Sequence, residues 1–205
     1  MPNAHTTSDI IHSVSETAPG LLPIFRSDNQ LRLLAYIFVQ GDRPQTPAEL
    51  SRATGIPQPT VSREVDRLVK AGVLTAERRG RAKLVQPNRA VPYFDDLSSL
   101  LVKVAGPPRI LADLLRPIPG VDAAYIYGSW ARRYFGDRGE FPRDVDLLVI
   151  GDPSLDAIYD AATKAEARLG LDVNPTIVSP EEWERRESVF LKTVGDDRLV
   201  PLLES

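Results

Sequence analysis

Along residues 27–39 the apolar positions Leu31, Leu34, Ala35 and Phe38 fall at i, i+3, i+4 and i+7, one face of an α-helix, with Ser27 or Asp28 as its N-cap. The stretch GDRPQ breaks the period. In TPAELSRAT, Thr46 precedes Pro47 and stands three residues before Glu49, the spacing of a capping box with proline at the first helical position, so a short second helix is predicted, ended by Gly55. Val61, Val65, Leu68 and Val69 share one face of a third helix in PTVSREVDRLVKAG, stopped at Gly72. VLTAERRGRAKLVQPN reads as two short strands around the turn Arg79-Gly80-Arg81.

The second half alternates differently. VPYFDDLSSLLVKVAGPP predicts a connecting helix closed by Gly106 and two prolines, and Pro108 to Leu115 a further helix. Val121–Tyr127 is a short apolar strand that runs straight into Gly128-Ser129 and then WARRYFG. Asp144-Val145-Asp146 opens the apolar strand LLVI, ended by Gly151-Asp152. Leu155, Ile158, Ala162 and Ala165 lie at helical spacing, with Ser154 or Asp152 as cap; LDVNPTIVS is a third strand and SPEEWERR a capped helix start. Trp183, Phe190, Leu191, Leu199, Val200, Leu202 and Leu203 belong to a last helix and a tail packed on the sheet. Strands alternating with helices make this half α/β or α+β, and the whole chain is expected to be α+β.

Composition narrows the chemistry. The chain has 205 residues, 42% hydrophobic and 26% charged, enough to bury cores in one large or two small domains. It has no cysteine, which excludes a disulfide scaffold, a thiolate zinc site, an iron–sulfur cluster and a thiol nucleophile. Its two histidines, His5 and His12, lie in a polar N-terminal stretch, away from any pattern of a histidine metal site or a Ser–His triad. The N-terminus lacks the basic start and apolar stretch of a signal peptide, and no apolar run is long enough to span a bilayer, so a cytoplasmic protein without membrane partners is expected. The formal net charge of −3 conceals a division: residues 41–90 hold ten basic and five acidic side chains, residues 91–205 thirteen basic and twenty acidic. The basic block suits a polyanion, the acidic block cations.

Helix, short helix, tight turn, longer helix, basic hairpin: over residues 27–90 this order resembles the winged helix-turn-helix of bacterial transcriptional regulators. The resemblance implies that the third helix enters the major groove of double-stranded DNA, with Gln58, Thr60, Ser62 and Arg63 toward the bases. Gln and Arg are the side chains with bidentate geometry for adenine and guanine. Arg67, a turn later, would reach phosphate, and Arg78, Arg79, Arg81 and Lys83 would populate the wing. Such regulators usually act as homodimers.

In the acidic half, Asp144 and Asp146 are two residues apart on a strand and so share a face, about 7 Å apart along it. They repel each other unless a cation lies between, and Mg²⁺ (or Mn²⁺) meets that need while keeping positions open for substrate phosphates. Gly128 permits a tight turn, the following helix start offers N–H groups to phosphate, and Ser129 adds a hydroxyl. Strand, Gly-Ser, helix, then Asp-x-Asp on the next strand resembles the nucleotidyltransferase superfamily that includes DNA polymerase β. The likeness spans about residues 108–178. It implies NTP as ligand or substrate, metal held by Asp144 and Asp146, and phosphates steadied by Gly128, Ser129, Arg132 and Arg133.

Two departures matter. The segment RYFGDRGEFPR between the Gly-Ser turn and the acids is longer than in compact members and is expected to form a loop beside the site. The superfamily's third carboxylate falls at Asn174, with Asp172 two residues earlier on the same face as a substitute. An amide brings no charge and takes no proton, so its presence weakens catalysis more than binding. The domains expected are a flexible arm over 1–25, a winged helix over 26–92, a connecting helix over 93–107 and a nucleotidyltransferase-like domain over 108–205. Three functions remain: a regulator sensing a nucleotide, an enzyme moving a nucleoside monophosphate to a protein, RNA or small-molecule hydroxyl in a toxin–antitoxin-like setting, and a regulator with a degenerate scaffold domain.

Overall fold

The computed structural model describes residues 25–137 and 141–204. The arm expected over 1–25 lies outside these residues except for Phe25, whose side chain is buried in the first core. Part of the loop expected before Asp144, residues 138–140, also lies outside them.

Helix α1 (Asp28–Val39) starts where the Ser27 side chain accepts the Gln30 N–H, so Ser27 and not Asp28 is the cap. Helix α2 (Pro47–Thr54) opens with both bonds of the capping box: Thr46 Oγ1 accepts the Glu49 N–H at 3.2 Å, and Glu49 Oε2 accepts the Thr46 N–H at 2.7 Å. Those bonds hold the Glu49 carboxyl below its ordinary range. Helix α3 (Gln58–Lys70) is followed by the antiparallel strands β1 (Leu74–Arg79) and β2 (Ala82–Pro87), joined through Gly80 and Arg81. Gln45 adds a rung to this hairpin, its N–H and C=O bonding the backbone of Val85 at 2.9 and 2.8 Å.

One core gathers Leu31, Leu34 and Phe38 of α1 with Leu50, Ile56, Val61, Val65, Leu68, Leu74 and Val85. Full burial of each Leu or Val contributes about 1.5–3 kcal/mol. Helix α4 (Phe94–Ala105) sends Phe94 and Leu101 into this core and Val102 into the next, so the expected connector packs with both halves.

The second half comprises α5 (Pro107–Leu115), β3 (Val121–Tyr127), α6 (Gly128–Tyr134), β4 (Asp144–Gly151), α7 (Leu155–Leu169), β5 (Asp172–Val178), α8 (Pro180–Arg185), α9 (Val189–Asp196) and β6 (Val200–Leu203). Its sheet runs β5-β4-β3-β6. β4 and β5 are parallel, joined by the crossover helix α7 that parallel pairing requires, while β3 is antiparallel to β4 and β6. The tail expected to lie on the sheet is thus its edge strand. Val145, Leu147 and Val149 of β4 face a core with α5, α6 and α7, whereas Leu148 and Ile150 face Val178, Leu191 and Val194. Burial on both faces accounts for the unbroken run LLVI.

Close backbone approaches join the halves. Gln40 Nε2 donates to the Leu169 carbonyl at 2.6 Å, and a Cβ at Gly170 would lie 2.6 Å from both Gln40 Nε2 and the Tyr36 hydroxyl. Gly41, at φ +62°, leaves room for the Phe141 ring, whose Cγ is 2.7 Å from where a Cβ would stand. Among the described residues no helix is long and apolar enough to cross a membrane.

Candidate functional site

The groove-facing candidates lie on α3 and the hairpin. Val61, Val65 and Leu68 turn inward, which leaves Gln58 and Arg63 exposed and Thr60 and Ser62 half-buried. The first turn of α3 has no side-chain cap: Pro59 carries no N–H, and the Thr60 and Val61 N–H groups donate to the Pro57 carbonyl at 2.9 and 3.1 Å. Arg63 Nε bonds only the Pro59 carbonyl within its own helix, at 3.3 Å. Arg78, Arg79 and Arg81 are exposed at the hairpin tip, with Arg79 3.4 Å from Glu77. Arg67 is paired with Glu64 and Lys83 with Asp66. Each uses one N–H donor in its pair and keeps others for a phosphate.

At one end of the sheet, pairing aligns the second set of candidates. Tyr127 is the register partner of Asp146, Asp146 of Asn174, and Asp144 of Asp172. The strand period puts Asp144, Asp146 and Asn174 on the face of Leu148, the face covered farther along by α9. Gly128, at φ +69°, is pressed against the acids: a Cβ there would be 2.6 Å from Asp146 Oδ2. Asn174 Nδ2 donates to Asp144 Oδ2 at 3.1 Å. The amide thus does part of the work of a cation beside Asp144. Partial burial raises the Asp146 carboxyl above its ordinary range, and the Asp144 charge adds to the rise; Asn174 and Arg132 oppose it. Arg132 is therefore electrostatically coupled to the acids, with its side chain exposed.

Two candidates fall short of this cluster. Among the described residues no group of three or more acids or histidines comes close enough to hold a metal, so Asp172 does not complete a triad with Asp144 and Asp146. Arg133 points to the other side of α6. Its guanidinium lies 3.8 Å from the Phe141 ring centroid and donates to Ser98 at 3.3 Å, and burial lowers its pKa. It lines a cavity of about 980 Å³ between the halves, together with Arg43, Arg89, Arg143, Asp42 and Asp95. No sequence period marks this interface, because Phe141 and Arg133 come from separate segments and meet only through tertiary packing.

Sequence reasoning also passed over Tyr127. Its hydroxyl is 3.4 Å from Thr176 Oγ1 across the strand that carries the acids, and its ring meets Phe190 edge-on at 5.8 Å. Burial raises its pKa. Its alternation with Ile126 in an apolar strand was the available signal, since Ile126 faces the core and Tyr127 must then face the acids.

Comparison with curated proteins gives no match. Among solved structures, the wild-type apo form of MarR from E. coli overlaps 51% of this chain and 79% of its own at 20% identity and a TM-score of 0.35. A mutant E. coli MarR complexed with operator DNA overlaps 48% and 73% at 21% identity and a TM-score of 0.34. Human N-acetylserotonin methyltransferase in complex with SAM overlaps 68% and 41% at 15% identity and a TM-score of 0.28. Overlaps this loose carry no weight. Residues 26–83, by contrast, match the MarR family directly, and this segment is a MarR-family winged-helix domain.

Proposed function

We propose that the chain is a DNA-binding transcriptional regulator whose sheet domain is nucleotidyltransferase-like and binds a nucleoside triphosphate with Mg²⁺. The winged helix of the MarR family supports the first part, together with the exposed Gln58 and Arg63 on α3 and the arginines at the hairpin tip. In this reading two copies read two half-sites, α3 lies in the major groove, and Arg78, Arg79 and Arg81 contact the flanking backbone or minor groove.

The observation that carries the second part is the contact of the Asp146 carboxylate with Gly128, beside Asp144 and at the strand-to-helix turn that holds Ser129. Two carboxylates on one face fit Mg²⁺, which commonly takes one or two protein carboxylates and fills its remaining positions with water and phosphate oxygens. Asp144 and Asp146 would hold the ion, which would neutralise phosphate charge; Ser129 and Arg132 would meet the phosphates. Asn174 stands where a base would be needed and cannot take a proton. The balance therefore favours binding over transfer, and sensing over an enzyme that modifies a protein or RNA hydroxyl.

Fluorescence anisotropy with duplex DNA tests the first part. Binding that weakens steeply with salt and loses sequence preference in Arg63→Ala is the expected result; equal affinity of that variant and the wild type for every sequence would remove Arg63 as a base reader. Incubation with labelled NTP and Mg²⁺ tests the second. Bound label without product is expected, and product that disappears in Asp144→Ala would turn the reading to an active transferase.

A further inference from the structure

We infer that Phe190, at the start of α9 and beside Tyr127, forms the platform on which the base of the bound nucleotide lies, held by ring contact and without hydrogen-bond selection among bases. This rests on the nucleotide reading above and specifies its ligand.

Val189 is 80% exposed and Phe190 41% exposed, although they follow the capped start of a helix whose Leu191 and Val194 are buried against the sheet. A half-exposed aromatic ring beside the site keeps a face open for a further contact. Its position supplies that contact. Phe190 meets Tyr127 edge-on at 5.8 Å, and Tyr127 is at once the register partner of Asp146 and the residue before Gly128. A triphosphate centred on the acids thus has an aromatic surface within the reach of its own sugar and base. The Tyr127 hydroxyl is engaged with Thr176 Oγ1 at 3.4 Å. What remains for a base is a π-face, which every base can use.

The platform is also held in place. Arg186, at φ +47°, is the sole non-glycine with positive φ among the described residues. Its guanidinium lies 4.4 Å from the Trp183 ring centroid and packs against Gly195, while Trp183 stacks on Tyr125 at 6.4 Å. Ser188 caps α9 by accepting the Leu191 N–H at 3.1 Å. A backbone turned into the left-handed region and pinned on both sides fixes where α9 begins, and hence where Phe190 stands.

Calorimetry on the full chain with Mg²⁺ and three probes, ATP, CTP and inorganic tripolyphosphate, tests the inference. Phe190→Leu, which keeps apolar volume, and Phe190→Ala should each weaken ATP and CTP by about fivefold to a hundredfold and leave tripolyphosphate unchanged. Phe190→Trp should restore both nucleotides, and its fluorescence should be quenched by ATP but not by tripolyphosphate. Unchanged nucleotide affinity in Phe190→Leu and Phe190→Ala would overturn the platform while leaving the metal–phosphate reading standing. Equal weakening of all three probes would also overturn it, since Phe190 would then act through the fold. Absence of binding by any probe to the wild type would remove the nucleotide reading and the platform with it.

Discussion

Replacing Gly128 with alanine separates two forces that act on one backbone position. The first is conformational. Gly128 has φ +69°, and an L-residue held there costs about 1–2 kcal/mol relative to glycine. The second is contact. The added Cβ would sit 2.6 Å from Asp146 Oδ2, so the carboxylate must rotate away, at about 0.5–1.5 kcal/mol for an off-rotamer side chain. Gly128→Ala should therefore lose roughly 2–3 kcal/mol, a fall in Tm of about 4–12 °C for a chain of this size. In an Asp146→Ala background the carboxylate is gone and only the conformational part remains. A cycle of four proteins, wild type, both single variants and the double variant, melted in the presence of chelator, should give a coupling of about 1 kcal/mol. An equal loss in both backgrounds would refute the contact between Asp146 and the turn. No loss in either would refute the left-handed turn itself.

Asn174→Asp should place a third charge beside Asp144 and Asp146 in exchange for an amide that now donates to Asp144; the variant should melt below wild type in chelator and gain more from Mg²⁺, as read by thermal shift. Asp146→Asn should raise Tm near neutral pH. A carboxyl whose pKa is raised on folding contributes stability below its unfolded value and loses that contribution as pH rises through the folded one, so the gain should shrink as pH falls toward the ordinary 3.8. The site is partly exposed, so the gain should be small and diminish with salt. Phe141→Ala should cost about 2–3 kcal/mol by emptying the space against Gly41 and Phe94 and beneath Arg133, and hydrogen exchange should quicken in α4 and α6 together; quickening confined to one of them would argue against a shared anchor.

Local rules made much of the fold legible. Thr46 and Glu49, like Ser179 and Glu182, carry their helix starts in the side chains that form the capping boxes. The meeting of Gly128 with Asp146 was legible too, because a strand ending in Gly-Ser and a following strand beginning Asp-Val-Asp bring those ends together when they pair antiparallel. Nonlocal pairing was not legible. Val200–Leu203 contains a proline and reads as tail, and becomes a strand through its bonds to β3 at the sheet edge, where Pro201 is tolerated. Arg133 sits one residue from Arg132 yet serves the interface with Phe141 and Ser98, because a single step around a helix turns a side chain by about 100°. Arg67 and Lys83 found carboxylates within the same domain, which a count of basic residues cannot reveal.

The glycines at 41 and 170 let side chains from across the seam rest directly on the backbone, the Phe141 ring at Gly41 and the Gln40 amide and Tyr36 hydroxyl at Gly170. Beside these contacts the seam widens into the cavity lined by Arg43, Arg89, Arg133 and Arg143. Phe141 stands only three residues ahead of Asp144, so a substitution that displaces its ring would disturb the seam and the start of the acid-bearing strand together.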